Sequence, residues 1–294
     1  MHFLLLQGPD AARYLNGQLT NAVPPLAPGA TLLACVTNHK GKLDAAPVHV
    51  HHLQDPDALL IESPVPLFDR LDRYLISDDC ALDEASDRYA LAHLVDTDLP
   101  RPAAALHDAT NPRYGIRGRD LIFPAGEIPT DLPLPDPAHL ESLRIWNQIP
   151  AWGSELSDAI LPPECPVYRE RAISYTKGCY IGQEVISRIK SAGKVRQELR
   201  LLIAQGDPDE PLVPGMVLAP EDDPGSEAGH LTSVAPHPRD PTVTIALGFV
   251  RRTFSQTGRL LKVRSAKMVL SVPLLIGETP GESPHPQSTL DPPT

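Results

Sequence analysis

Positive charge is the most conspicuous shortage in this chain. Only 26 Lys and Arg stand against 37 Asp and Glu, a formal net charge of −11 over 294 residues. Sequence-independent binding to a nucleic-acid backbone needs a positive footprint, so nucleic acid is not an expected partner. Long apolar runs are also missing. None approaches the roughly 20 residues that span a bilayer, and Met1-His2-Phe3-Leu4-Leu5-Leu6 is too short and uncharged for a signal peptide. No membrane partner is expected. Cysteine is scarce: Cys35, Cys80, Cys165 and Cys179 lie far apart, with no Cys-x-x-Cys pair. That spacing excludes a disulfide framework and a zinc site, and points to reduced thiols in a cytoplasm. Aromatic residues make up 5% of the chain, which leaves the core to Leu, Val, Ile and Ala.

Proline is the excess, with 34 residues, about twice the usual share. The length allows two or three compact units. Phe3 to Leu6 reads as a strand, and Gly8-Pro9-Asp10 starts a helix whose core face is Ala11, Leu15 and Leu19. Thr31 to Thr37 and Leu43 to Val50 read as strands around a turn at Asn38-His39-Lys40-Gly41, followed by a strand over Ala58 to Ile61. Pro66 opens a helix with Phe68, Leu71 and Leu75 on one face; Cys80 to Leu82 and Tyr89 to Val95 return to strand. Strands and helices do not alternate regularly, which favours α+β over a doubly wound sheet. Asp96 to Pro137 reads as proline-dense loop with one or two short strands, such as Asp120 to Phe123, and Ala138 to Gln148 as a helix. After about Ser191, Glu198 to Ala204, Gly229 to Ala235, Thr242 to Val250 and Arg259 to Arg264 read as short strands with turn-rich spacers, the pattern of a small antiparallel barrel. Gly206 to Gly225, with six acidic residues and five prolines, reads as a surface loop. The expected organisation is therefore an N-terminal region over 1–192, a barrel over 193–277, and a Pro/Ser/Thr-rich disordered tail over 278–294.

The octapeptide Lys177-Gly178-Cys179-Tyr180-Ile181-Gly182-Gln183-Glu184 carries the strongest chemical signal. It sets a thiol between a lysine and a helix start, bracketed by glycines that permit tight turning. A neighbouring cation and a helix N-terminus both favour the thiolate, the reactive form. Cys165, flanked by Pro163, Glu164 and Pro166, has no such company. From Cys165 to Arg200, eight basic residues face three acidic ones, a local +5 that leaves −16 for the rest. A concentrated positive region attracts a small polyanion. Asn38-His39-Lys40-Gly41-Lys42 lacks the glycine spacing of a phosphate loop and reads as a hairpin turn. His49 and His51 share one strand face and His52 the other, with no carboxylate or thiol at a supporting spacing, so no metal is expected there.

The octapeptide resembles the signature of the YgfZ-type folate-binding proteins, relatives of the glycine cleavage T-protein (aminomethyltransferase) whose mitochondrial counterparts assist iron–sulfur cluster assembly. Gly8 to Asn21 is similar to that family's opening helix, Lys40-Gly41-Lys42 to its first hairpin, and Ile149-Pro150 through Gly153-Ser154-Glu155-Leu156 to its pre-motif segment. Gly229-His230-Leu231-Thr232-Ser233 and Ala246-Leu247-Gly248-Phe249-Val250 look like strands of its C-terminal barrel. The resemblance implies a three-lobed ring ending in a small β-barrel, with tetrahydrofolate or a one-carbon-substituted folate in a central cavity. The basic region would meet the folate's anionic glutamate tail.

Two departures separate the chain from the T-proteins. Where they carry an Asp-Asp pair, this sequence has Asp44-Ala45, and they lack the cysteine signature. The resemblance thus implies a folate-binding accessory protein for iron–sulfur assembly or repair rather than an enzyme of the aminomethyltransferase type. Cys179 and Lys177 would form the functional thiol site. Gly178, Tyr180, Gly182, Gln183, Glu184, Arg188 and Asp44 would contact folate. Iron–sulfur enzymes or assembly proteins are the implied partners. The alternative is a one-carbon transferase using Asp44. Trp146 and Trp152 lie near the segment where some members line the folate site with tryptophan.

Overall fold

The structure, a computed structural model, describes residues 1–54, 57–193, 195–206, 210–264 and 274–278. The chain divides into two compact units, one formed by Met1–Leu140 with Ile149–Val195, the other by Glu141–Gln148 with the chain from Arg196 onward. The first unit holds β1 (His2–Gln7), α1 (Ala11–Gln18), β2 (Thr31–Thr37), β3 (Leu43–Gln54), β4 (Asp57–Ser63), α2 (Phe68–Asp72), β5 (Ala81–Glu84), β6 (Tyr89–Val95), β7 (His107–Thr110) and β8 (Gly118–Pro124). Helix α3 (Pro137–Trp146) follows and ends in the second unit; α4 (Pro166–Arg171) and α5 (Gln183–Ala192) belong to the first. The second unit contains β9 (Gln197–Ala204), β10 (Val217–Pro220), β11 (Gly229–Pro236), β12 (Thr244–Arg251), β13 (Leu260–Arg264) and β14 (Leu274–Ile276).

In the first unit, β2-β3-β4-β1-β5 form one antiparallel sheet and β6-β8-β7 a second. The continuous apolar run of β1 is explained by burial on both faces. Leu4 and Leu6 point to the layer that holds Ala11 and Leu15 of α1, Leu19 just after it, and Leu71 of α2. Phe3 and Leu5 point the other way, with Leu60 of β4, against Ile122 of β8. The period-2 alternation of a strand sends neighbouring side chains to opposite sides, so a strand between two layers has no polar face. In the second unit the strands close in the order β10-β11-β12-β9-β14-β13 around Leu202, Leu218, Leu231, Ala246, Leu261, Val263 and Ile276. Closure leaves the barrel no open sheet edge.

The α+β class and the barrel stand as read from the sequence. The proline-dense stretch holds two short strands, β7 and β8, within the one or two expected there, whereas two others depart from the sequence reading: β10 lies inside the acidic segment read as loop, and β14 completes the barrel. Like these two, β7 is not located by the sequence pattern. Each of the three is three or four residues long, too short to display a period, and is paired by neighbours rather than by its own pattern. Residues 279–294, nearly all of the stretch read as a tail, lie outside the described residues, as does Lys194 of the basic region.

A polar layer lies on the Phe3/Leu5 side, between the two sheets. His49 and His51 of β3 and Glu62 of β4 project there, and Asp120 of β8 comes from the facing sheet. Arg113 sits among them. Its Nη1 donates to Glu62 Oε1 at 2.7 Å, its Nε to Asp120 Oδ1 at 2.6 Å and its Nη2 to Asp120 Oδ2 at 2.8 Å, with a further bond from Nη2 to Glu62. His93 Nδ1 reaches Asp120 at 2.7 Å, Asn111 donates to it at 2.6 Å, and Thr31 Oγ1 bridges His51 and His107, each at 2.9 Å. The absence of a supporting carboxylate, inferred from spacing along the chain, is corrected here. Antiparallel register puts Glu62 directly opposite His49, and the ligand-type atoms of His51, Glu62 and Asp120 lie within 4.8 Å of one another. Arg113 already supplies the cation that this cluster holds.

Burial opposes the charged form of Glu62 and of Asp120, but Arg113 outweighs it and holds both carboxyls below their ordinary range. Burial, then the Arg113 charge, pushes His49 down to about 3; burial, then His51, pushes His107 down to about 4. Removing one partner of a buried ion pair costs about 3–5 kcal/mol, so Arg113→Met should lower the urea-unfolding free energy by about that much. The pH dependence has a definite sign. The two histidines stay neutral in the fold while the unfolded chain takes up protons near the ordinary value of 6.5. Their stabilisation is therefore present above that value and lost as pH falls from 6.5 toward 4. Equilibrium unfolding across that window should show a steady loss of stability on acidification; a flat profile would contradict the assignment.

Candidate functional site

Helix α1 ends without a basic residue in its last turn. Its C-terminal carbonyls, which no intrahelical donor satisfies, need partners from elsewhere. The octapeptide supplies them. Lys177 Nζ donates to Asn16 O at 2.5 Å, Leu19 O at 2.8 Å and Asn21 O at 2.7 Å, and Ile181 N donates to Gly17 O at 3.3 Å. A cation at a helix C-terminus also meets the negative end of the macrodipole. Burial pushes the Lys177 ammonium down to about 8, which leaves it protonated at neutral pH. Its ring contact with Tyr180, 5.1 Å from the centroid, completes its surroundings.

The other side of the loop is held by the β2–β3 turn. Thr37 Oγ1 donates to Ile181 O at 2.6 Å. Asn38 Oδ1 accepts from Lys40 N and Lys42 N, shaping the turn, and the Asn38 carbonyl faces Gly182. Gly182 is left-handed (φ 89°), and a Cβ there would lie 2.6 Å from Asn38 O and 2.8 Å from Thr37 Oγ1. Gly41 is also left-handed at φ 72°, and a Cβ there would lie 2.9 Å from the Val185 side chain of α5 and 3.4 Å from Gly182 O. Two glycines thus let the turn and the start of α5 touch backbone to backbone.

The expected site residues divide on this frame. Cys179 is exposed, whereas Cys35 and Cys165 are buried and Cys80 is half-buried. Gly178 beside it has an ordinary φ and open space where a Cβ would go, so the fold itself makes no demand for glycine at that position. Lys177 was expected to hold the thiolate, but all three of its ammonium hydrogens go to carbonyls. Tyr180 is buried with Ile173, Tyr175 and Ile186, a small core that anchors the loop. Gln183 opens α5, and its N–H donates to Tyr180 O at 3.2 Å. Glu184 in the first turn of α5 pairs with Arg188 at 2.5 Å, both largely exposed. Such a pair contributes about 0–1 kcal/mol, which leaves both side chains available to a ligand. Asp44 accepts from Arg70 Nε at 2.8 Å, and the same guanidinium donates to Gln18 Oε1 and Thr37 O, each at 3.1 Å. Thr37 therefore connects the Asp44–Arg70 pair to the octapeptide. Gln18, Thr37 and Arg70 were not found from the sequence, because nothing near Asp44 in the chain marks a partner 26 residues away. Of the tryptophans, Trp146 lies edge-on to His237 in the second unit, and Trp152 sits in the first.

No family model matches the chain. An uncharacterized protein of Haemophilus influenzae is 27% identical over 206 residues, covering 68% of this chain and 70% of that protein. The tRNA-modifying protein YgfZ of Edwardsiella ictaluri is 29% identical over 221 residues (66% of each chain), and that of Colwellia psychrerythraea 23% over 225 residues (68% of each). The crystal structure of glycine cleavage system aminomethyltransferase T from Bartonella henselae superposes with a TM-score of 0.76, covering 95% of this chain and 83% of that one at 15% identity. That likeness establishes the T-protein fold.

The site geometry makes two separable predictions. Gly182→Ala should destabilise the protein by about 2 kcal/mol or more, since it adds both a left-handed penalty and a backbone clash. Gly178→Ala should stay within about 0.5 kcal/mol, and thermal unfolding reads both. Burial pushes Cys35 up to about 12 and Cys165 well above its ordinary value. Limited alkylation at neutral pH, mapped by mass spectrometry, should therefore modify Cys179 first, and Cys35 and Cys165 only in denaturant. Early labelling of Cys165 would contradict the arrangement.

Proposed function

We propose that the chain is a YgfZ-type, T-protein-like protein and, as such, a cytoplasmic, tetrahydrofolate-binding accessory protein supporting assembly or repair of iron–sulfur enzymes. The observation that carries this reading is the octapeptide itself: an exposed thiol on a loop fastened to α1 on one side and to the β2–β3 turn on the other. A loop held that way presents Cys179 in a fixed position without burying it. A thiolate suits both transient ligation of iron and attack on an oxidised sulfur centre. Glu184, Arg188 and the Asp44–Arg70 pair offer the folate polar partners for its pterin and its anionic tail. The Edwardsiella and Colwellia relatives are themselves named as tRNA-modifying, which supports tRNA modification as the process this protein serves.

The role of Lys177 in this scheme is to hold the loop in position. Cys179 then depends on its exposure and on what it meets, not on a hydrogen bond from that ammonium. The rival reading, a one-carbon transferase, is favoured by the T-protein fold and opposed by the state of Asp44, whose carboxylate is engaged by Arg70. A free acid/base group would need that pair to open.

Calorimetric titration with tetrahydrofolate, run on wild type and Cys179→Ala, tests pocket and thiol separately. Both should bind within about twofold of each other, while only wild type should restore iron–sulfur enzyme activity to a deletion strain. Restoration by Cys179→Ala would sink the thiol role, and absence of folate binding in wild type would sink the folate reading. Asp44→Asn should leave that restoration intact; its loss, together with methylene-tetrahydrofolate formation by wild type, would favour the transferase.

A further inference from the structure

On α5, Ile189 and Lys190 lie roughly opposite Glu184 and Arg188 around the helix. Behind the octapeptide, on that face, is a cavity of about 380 Å³ lined by Pro163, Arg169, Tyr175, Ile189, Lys190 and Val195, with Gly193 at its edge. Arg169 and Lys190 belong to the basic region first expected to meet the folate tail, but the cavity includes none of the individually named folate contacts (Asp44, Gly178, Tyr180, Gly182, Gln183, Glu184 and Arg188). We propose that this cavity is a second ligand site, for a small organic phosphate of nucleoside-monophosphate size.

Three features of the cavity define that ligand. First, two cations and no carboxylate are among the seven described residues that line it, in a chain whose net charge is −11. Arg169 comes from the last turn of α4 and Lys190 from the last turn of α5, so two separate helices converge their charges on one recess. Second, Lys190 is held in place. Its Nζ lies 3.7 Å from the centroid of the Tyr175 ring, which fixes a long side chain whose ordering otherwise costs entropy on binding. The negative end of the α5 dipole also emerges at Gly193, and Lys190 in the same turn offsets it. Third, Pro163, Ile189 and Val195 supply an apolar wall that the two cations do not use.

A guanidinium matches two oxygens of a phosphate and an ammonium takes a third as a point charge, an arrangement that discriminates for phosphate. The apolar wall asks for an organic body attached to it. The volume lies at the small end of the roughly 300–1,000 Å³ range of small-molecule pockets, which fits a free nucleotide rather than a polymer. Tyr175 also belongs to the cluster of Ile173, Tyr180 and Ile186 that anchors the octapeptide, so an occupied cavity would brace the thiol loop from behind.

The test is calorimetric titration of the full chain with AMP, with inorganic phosphate, and with AMP in the presence of saturating tetrahydrofolate. Expected results are saturable one-to-one AMP binding, weaker binding of inorganic phosphate, and no displacement by folate. Lys190→Gln and Arg169→Gln should each weaken AMP binding about tenfold, with Lys190→Arg close to wild type and circular dichroism checking that each variant is folded. Arg251→Gln, which removes an exposed charge in the other unit, serves as the control for general charge loss. The proposal is overturned if wild type shows no saturable AMP binding, if both glutamine variants bind as wild type does, or if Arg251→Gln weakens binding equally. Equal affinity for inorganic phosphate would remove the organic body, and displacement by folate would make the cavity part of the folate site. A protein that bound AMP but not folate would uphold this site and sink the folate reading, so the two fail separately.

Discussion

The ammonium group of Lys177 holds together the region where chemistry is expected. Helix α1 is eight residues long and ends in carbonyls that its own sequence cannot satisfy. Lys177, about 160 residues further along, closes that end with hydrogen bonds to Asn16 of the helix and Leu19 at its cap, and a third to Asn21 just beyond. Each typical bond contributes only about 0.5–1.5 kcal/mol net, yet the geometry of the group matters more than the sum. An ammonium has three hydrogens, and here each has a carbonyl. The loop that follows is therefore fixed in both position and direction, and Cys179, two residues on, is left outside. Isolated from this contact, the thiol would have no defined place to be presented.

A different electrostatic arrangement sustains the scaffold beneath. The layer between the two sheets of the first unit holds two carboxylates, one guanidinium and a set of histidines beside the apolar cluster of Phe3, Leu5, Leu60 and Ile122. Burying such groups is costly unless every one is paired. Arg113 meets that condition for the two carboxylates by spanning Glu62 and Asp120, one from each sheet, whereas the buried Nδ1 of His49 has no hydrogen-bond partner among the described residues. The cluster has metal-type ligands within reach of one another, but a guanidinium between the carboxylates already neutralises them. A planar fork also fixes the two sheets relative to each other in a way that a sliding apolar contact would not.

What could be read from the sequence was what repeats with a local period. The core face of α1, the apolar runs of β3 and β12 and the turn at Asn38 all announced themselves, because each depends on residues within a few positions of one another. The octapeptide was legible as a family signature for the same reason. What escaped was set by register and by distance along the chain. His49 and Glu62 are 13 positions apart and become partners only when β3 and β4 pair. Arg70 meets Asp44, and Lys177 meets α1, through tertiary packing that no motif records. Strands β7, β10 and β14 are short enough that their neighbours, not their composition, make them strands.

The two glycines of the octapeptide make the same point at the scale of single atoms. In the sequence they are equivalent, since both flank the thiol and both could loosen a turn. In the structure Gly182 is required by a left-handed φ and by a carbonyl 2.6 Å from where a Cβ would lie, whereas Gly178 faces open space at an ordinary φ. Folding therefore accounts for one glycine and not the other. A residue that the fold leaves free to carry a side chain, directly beside an exposed thiol, leaves room for close approach by another molecule. The lysine that the sequence set beside the thiol is occupied in holding α1, so the small, unobstructed surface around Gly178 and Cys179 is what the loop offers to a partner. On that argument, if Cys179 is the functional thiol proposed above, its selectivity would arise from access and from the partner's own chemistry more than from activation within the loop.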